Sequence, residues 1–249
     1  MFYFDKINGK SILKSDFLEG IPHFFTTRET VIKSKDPTFD NLVKANRKNI
    51  CQYLNIDEKN LISPSQTHSA NIAEVQADQF SYPETDGLIL TRKNIAVALN
   101  FADCTPIILY DKKQNIGAVS HAGWRGTAQK ISALTVQKMV HEYNSEPENI
   151  IAVIGPAISK CCYNVGKDVM LKLSETVSSH KNLFEERNGE IFVDLKGINR
   201  QQLIEAGVRN IDVCPYCTVC DNDKFFSYRK ENATTCRHSA ILMLKVAES

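Results

Sequence analysis

Three short stretches set a reactive side chain beside an apolar run. They are Ser65-Gln66-Thr67-His68, Ala102-Asp103-Cys104-Thr105-Pro106 and Ser120-His121-Ala122-Gly123-Trp124-Arg125-Gly126. Loops at strand ends are where rigid scaffolds display functional groups. Two imidazoles and a thiolate suit a borderline-soft cation, zinc before others. Three protein ligands leave one tetrahedral position open, as in a catalytic zinc site and not a structural one. Zinc also brings the pKa of water down to roughly 7. Asp103, next to Cys104, is a candidate orienting group or base.

The same residues allow other readings. A histidine beside a strand is ordinarily a hydrogen-bonded polar group, and a lone cysteine is ordinarily a small buried hydrophobe. Cys104 could serve as a nucleophile with His121 as its base, which excludes zinc at that sulfur. The intervals from 68 to 104 to 121 follow no local metal signature. Gly123 and Gly126 flank Trp124 and Arg125 where a helical pattern begins. Glycine lets backbone approach a ligand, a helix start attracts anions, and a guanidinium forks onto phosphate. A tight turn with a buried Trp is the plainer alternative.

The chain has eight cysteines. Cys214, Cys217 and Cys220 form C-x2-C-x2-C, with Cys236 beyond. Such spacing suits structural zinc or part of an iron–sulfur cluster. No histidine lies inside the segment, and free thiols are the expectation. Cys161-Cys162 is expected to pack under a turn. Disulfides are not expected, because there is no export signal and 249 residues need no staples.

Periodicity supplies the elements that must position these groups. Asn41 to Leu54 reads as a helix with Leu42, Ile50 and Leu54 facing the core. Ile95–Phe101, Pro106–Tyr110, Ile116–Ser120 and Ile150–Ile154 read as buried strands. Thr127 to Tyr143 reads as one amphipathic helix. Val169, Leu173 and Val177 mark another, closed off before Asn182. Ile191–Leu195 is a strand, Asn199–Ala206 a helix and Ile241–Val246 a last strand. Arg28 to Asp40 reads as a surface loop. Strands and helices mix without regular alternation, so the expected class is α+β: one domain over residues 1–249, with a mixed central sheet flanked by helices.

Bulk properties narrow the function. The hydrophobic fraction is 43%, the charged fraction 24% and the formal net charge +1, with Lys and Arg scattered. A nucleic-acid or membrane surface needs a clustered basic footprint, so neither partner is expected. Met1 to Gly20 has no apolar stretch of signal-peptide length, and no run reaches the ~18 residues of a membrane helix. A cytoplasmic monomer is expected.

At this point the motifs become specific. Gln66-Thr67-His68, Thr85-Asp86-Gly87-Leu88, Ala102-Asp103-Cys104-Thr105-Pro106 and His121-Ala122-Gly123-Trp124-Arg125-Gly126 stand in one order. They are followed by Gly155-Pro156-Ala157-Ile158, Cys161-Cys162-Tyr163-Asn164-Val165-Gly166, Asp194-Leu195, Asn199-Arg200-Gln201-Gln202-Leu203 and Phe225-Phe226-Ser227-Tyr228-Arg229. Together they resemble, over nearly the whole chain, the YfiH-like family. Its members are also known as multicopper polyphenol oxidase or laccase-domain proteins and are now regarded as purine nucleoside phosphorylases. The resemblance implies one α+β domain with metal held by His68, Cys104 and His121, and zinc as that metal. It implies phosphorolysis of adenosine, inosine, guanosine and 5′-methylthioadenosine to the free base and a ribose 1-phosphate, together with hydrolytic deamination of adenosine. The expected catalytic residues are Cys104, His68, His121 and Asp103. Substrate-binding candidates are Arg28, Arg47, Gln66, Arg125 and Arg229.

The chain departs from the family in two places. Thr27-Arg28 is followed by Glu29-Thr30-Val31 where the family has Thr-Arg-x-Gly-Gly, and Thr235-Cys236-Arg237 stands where it tends to have Thr-Gly-Arg. The first departure bears on a loop over the site and hence on substrate range. Three rivals follow from the name and from the residues: a copper-dependent polyphenol oxidase, the Cys104–His121 hydrolase, and a non-enzymatic metal-binding or partner-binding module. Six histidines in all are few for a type 1 plus trinuclear copper set.

Overall fold

The computed structural model describes residues 1–244. In chain order the strands are β1 (Phe2–Ile7), β2 (Lys10–Ser15), β3 (His23–Thr26), β4 (Leu61–Ile62), β5 (Ile72–Glu74), β6 (Gly87–Leu90), β7 (Ala96–Phe101) and β8 (Thr105–Asp111). After them come β9 (Ile116–Ala122), β10 (Ile150–Ile154), β11 (Asn164–Val165), β12 (Phe184–Arg187), β13 (Glu190–Val193), β14 (Asn210–Val213) and β15 (His238–Met243). The helices are α1 (Asp40–Leu54), α2 (Trp124–Ala128), α3 (Ile131–Tyr143), α4 (Lys167–Ser174) and α5 (Leu195–Glu205).

The class is α+β, but the expected single central sheet is two. One runs β1-β2-β3-β15-β7-β4 and the other β14-β10-β8-β9-β6-β5, with a small β11-β13-β12 sheet beside them. Both large sheets are mixed. Most pairs are antiparallel, while β4–β7, β5–β6 and β10–β14 are parallel.

Side-chain alternation shows why the sheets stack. In a strand, successive residues point to opposite faces. Val97, Leu99 and Phe101 of β7 meet Ile108 and Tyr110 of β8, and Val119 of β9, in one core between the sheets. The odd-numbered β8 residues Ile107 and Leu109 point the other way, onto Ile131, Val136 and Met139 of α3 and Leu203 of α5. On the far side, Ala96 and Ala98 of β7 and Ile241 and Met243 of β15 pack on Ile50, Cys51 and Leu54 of α1. The order of layers is therefore helix, sheet, sheet, helices. Strands covered on both faces read as unbroken apolar runs, so their period of two is hidden in the sequence.

Several boundaries differ from the sequence reading. The expected helix from Thr127 to Tyr143 is two helices, broken at Lys130, whose φ is 61°. α5 begins at Leu195, because the Asp194 carboxylate caps it by accepting from Gly197 N at 2.9 Å. The expected strand at Ile191 therefore stops at Val193. Val177 lies beyond the end of α4, and Leu42 is exposed on α1. Within the expected surface loop, Val31 and Ile32 are buried, and Pro37–Phe39 is a single 3-10 turn. The expected last strand extends past Leu244, and its residues from 245 on lie outside the described residues. Among the described residues no helix is long and apolar enough to cross a membrane.

Candidate metal centre

His68, Cys104 and His121 converge from three connections. His68 stands between β4 and β5, and His121 is the penultimate residue of β9. Cys104 occupies the link from β7 to β8, where the chain passes from one large sheet into the other. One ligand atom from each lies within 4.8 Å of the other two. The two imidazole rings meet edge to face, with centroids 4.8 Å apart. Gly123 closes the site from the α2 side. A Cβ there would stand 2.9 Å from Cys104 Sγ and 3.0 Å from His68 Cδ2, so no larger residue fits without displacing a ligand.

The backbone at the site is unusual. His68 has φ of 63° and Asp103 has φ of 84°. Left-handed conformations cost a non-glycine residue roughly 1–2 kcal/mol and persist only where the surroundings enforce them. At His68 the enforcing group is Asp86, which stands immediately before β6 and is fully buried. Its carboxylate accepts backbone N–H groups from Thr67 at 3.0 Å, His68 at 3.1 Å and Ser69 at 2.8 Å, and the Ser69 hydroxyl at 2.7 Å. Burial works against its charge, but these bonds and His121 outweigh it and hold the carboxyl well below the usual carboxylate range.

Asp86 also orients the second imidazole. An ionised carboxylate only accepts, so His121 Nδ1–H donates to Asp86 Oδ1, at 2.8 Å. In the neutral ring that leaves Nε2 bare, the arrangement common to metal-binding histidines, and in the imidazolium a cation must displace the Nε2 proton. Burial disfavours charge on both partners of the neighbouring pair. Even so, the Cys104 thiolate and Asp86 raise His121 to about 9, and His121 and His68 lower the Cys104 thiol to about 6. The site thus stabilises a thiolate at neutral pH, which is the state a soft divalent cation needs. The donor set, its spacing and its carboxylate–histidine support all fit a metal.

The remaining candidates are dispersed. Asp103 is not aimed at the three ligands: its oxygens accept from Thr218 Oγ1 at 2.6 Å and Arg229 N at 2.7 Å. Gln66 pairs with the Asn100 backbone in β7, at 2.9 and 2.8 Å. Arg28 is engaged by Asn222 O and Glu231, and Arg47 by Leu61 O and Ser63. The Arg229 guanidinium bonds Asn164 and faces the Tyr163 ring. Arg125 is exposed and stacks on Trp124, 4.4 Å from the ring centroid. Two further residues lie within electrostatic reach of the site. The Tyr163 hydroxyl, kept protonated by burial and by Cys104, also feels Arg229 and Arg125, and Arg237 is within electrostatic reach of Cys104 and Asp103.

The cysteines regroup. Cys214 is buried in the core between the sheets, and Cys236 packs with Val31, Ala102 and Phe226. The C-x2-C-x2-C run therefore does not act as a unit. Cys161 and Cys162 do not simply pack under a turn: their sulfurs meet those of Cys217 and Cys220.

The family described as multi-copper polyphenol oxidoreductase laccase matches residues 24–245. The chain belongs to this family. Among its laccase-domain relatives, purine nucleoside phosphorylase YlmD of Bacillus subtilis is 32% identical, over 82% of this chain and 78% of that one. Adenosine deaminase RL5, from an unknown prokaryotic organism, is also 32% identical, over 87% of this chain and 92% of its own. The crystal structure of Bacillus licheniformis YfiH covers 97% of this chain and 99% of that one, with a TM-score of 0.89 and 31% identity. YlmD from Geobacillus stearothermophilus covers 98% and 99%, with a TM-score of 0.88 and 29% identity. The laccase-domain fold is thus shared end to end.

Proposed function

We propose that this chain, as one domain, is a zinc-dependent purine nucleoside phosphorylase. It acts on adenosine, inosine, guanosine and 5′-methylthioadenosine with phosphate, and also deaminates adenosine. The observation that carries the reading is the convergence of His68, Cys104 and His121 on the Asp86 support, in a chain whose relatives bear both enzyme names.

In phosphorolysis a phosphate oxygen bonds to ribose C1′ as the C1′–N9 bond breaks. The bonding pair leaves with the purine, which takes up a proton. Zinc held by His68, Cys104 and His121 would supply Lewis acidity and a water of lowered pKa, the chemistry that hydrolytic deamination at purine C6 with loss of ammonia requires. Everything else falls to the protein. Arg125 has no protein ion-pair partner among the described residues, so it is the candidate for a phosphate fork. Tyr163, held protonated, can donate to a purine or ribose acceptor. Asp103 accepts from the Thr218 hydroxyl and the Arg229 backbone N–H, holds these residues in place as a wall and is a positioning residue in this scheme. The reaction is expected to take place in the cytoplasm, on free nucleosides, in a monomer.

The test is one incubation of purified protein with adenosine and phosphate, read by chromatography. Adenine with ribose 1-phosphate supports phosphorolysis and inosine supports deamination; the absence of both products overturns the reading. Cys104→Ala is expected to abolish both. The thiolate–imidazolium charge state of Cys104 and His121 favours one second reading, a cysteine hydrolase. Rapid alkylation of Cys104 in zinc-replete protein would support it, and protection supports zinc. Copper oxidation has less to stand on. His23, His141 and His238 sit on β3, α3 and β15, and His180 bonds Ser174 O, all apart from the three-ligand site.

A further inference from the structure

We propose that Cys161, Cys162, Cys217 and Cys220 form a second, closed metal site that holds one thiophilic divalent ion, zinc, in a structural role. All four sulfurs lie within 4.8 Å of one another. Cys220 Sγ is 3.7 Å from Cys161 Sγ and 3.5 Å from Cys162 Sγ. Four sulfurs placed about 2.3 Å from a tetrahedral zinc stand about 3.8 Å apart, which matches. A disulfide needs about 2.05 Å, which does not. An iron–sulfur cluster would spread the four sulfurs over several metal atoms and hold them farther apart than a single ion does.

The surroundings suit bound thiolates. Cys217-Thr218-Val219-Cys220 supplies two ligands at C-x2-C spacing, as zinc knuckles do. The Ser159 backbone N–H points at Cys217 Sγ, at 3.4 Å. Four thiolates around one divalent ion leave excess negative charge. The buried ammonium of Lys196, anchored on Cys214 O and Tyr216 O, is within electrostatic reach of Cys217 and Cys161.

The site also has a mechanical rationale. It would tie the segment after β10 to the segment after β14, two loops held otherwise by the Ala157–Cys217 bridge. Thr218, between two ligands, donates to Asp103, and Tyr163 follows Cys162 directly. The ion would pin the wall of the three-ligand centre without taking part in its chemistry.

The decisive measurement is metal content by mass spectrometry on protein produced with zinc. The parent protein is expected to hold two zinc ions per chain. Cys161→Ser with Cys220→Ser should hold one, and His68→Ala with Cys104→Ala should also hold one. X-ray absorption on the latter should show a shell of sulfur only. If that variant folds and carries no zinc, or if the double cysteine variant keeps the parent's stoichiometry, the second site is refuted; loss at the first site alone leaves it intact. A control needs no substitution. In the parent, exposed Cys161 and Cys220 should resist alkylation until a chelator is added. Rapid labelling without chelator, or a mass two hydrogens lighter from a disulfide, would overturn the proposal.

Discussion

Replacing Asp86 by Asn keeps its volume and removes its charge. The acceptor of three backbone N–H groups and of His121 Nδ1 would then carry a competing donor. Outer partners of metal-binding histidines typically contribute 10–100-fold in affinity. Asp86→Asn is therefore expected to weaken zinc about that much, read by competition with a chromophoric chelator; unchanged affinity would sink the assigned role. Gly123→Ala tests the other wall. Its methyl would press on Cys104 Sγ at 2.9 Å, and a roughly tenfold to hundredfold loss of turnover is expected, with the melting temperature nearly unchanged. The convergence of His68, Cys104 and His121 was legible from residue type and motif. Asp86 stood inside a matched stretch, Thr85-Asp86-Gly87-Leu88, yet received no role. A single carboxylate bonding three amides 17 to 19 residues away leaves no spacing to read. The four-cysteine cluster was misgrouped for a related reason. Its partners lie 58 and 59 residues apart, while the local run pointed to Cys214 and Cys236.

Between elements, the approach of β9 to β15 is limited by Gly117. A Cβ there would lie 2.5 Å from Leu242 Cδ2, in a core where Leu242 has no exposure. Gly117→Ala is expected to overpack the sheet interface and cost about 1–3 kcal/mol in urea unfolding, with zinc content intact. A stability equal to the parent's would show that the layers can slide apart locally. The strands on either side of this contact were readable as apolar runs, as were α1 and α3. Their assignment to two sheets was not, because a strand buried on both faces shows no alternation. The break at Lys130 was hidden too: its left-handed residue is a lysine, and neither Gly nor Pro marks it.

For the whole molecule, two buried histidines contribute to acid sensitivity. His23 accepts from Ser15 N and donates to Ile21 O, and burial lowers it to about 4. His238 lies between Phe101 and Phe225 with the Pro156 backbone near its ring but no well-formed hydrogen bond to either nitrogen, and burial lowers it to about 3. Unfolded histidine takes a proton near 6.5, so between these values the unfolded chain binds more protons than the folded one. Stability from this source is complete above about pH 6.5 and is lost as pH falls, by up to about 1.4 kcal/mol per unit for each histidine. Metal-free His238→Phe is expected to unfold less steeply with acid than the metal-free parent. Parallel curves would rule out His238 as a contributor.

Cys104 sits on the link that carries the chain from one sheet to the other, with His121 on the second sheet and His68 on a loop that leaves the first. A cation bound by all three can be held only after both sheets have docked. Under the proposed metal binding, loading would be a checkpoint on assembly: half-folded chains could not retain the ion, and a loaded chain would be pulled toward the native state by mass action. Competence for the proposed chemistry and completion of the fold would then be a single event.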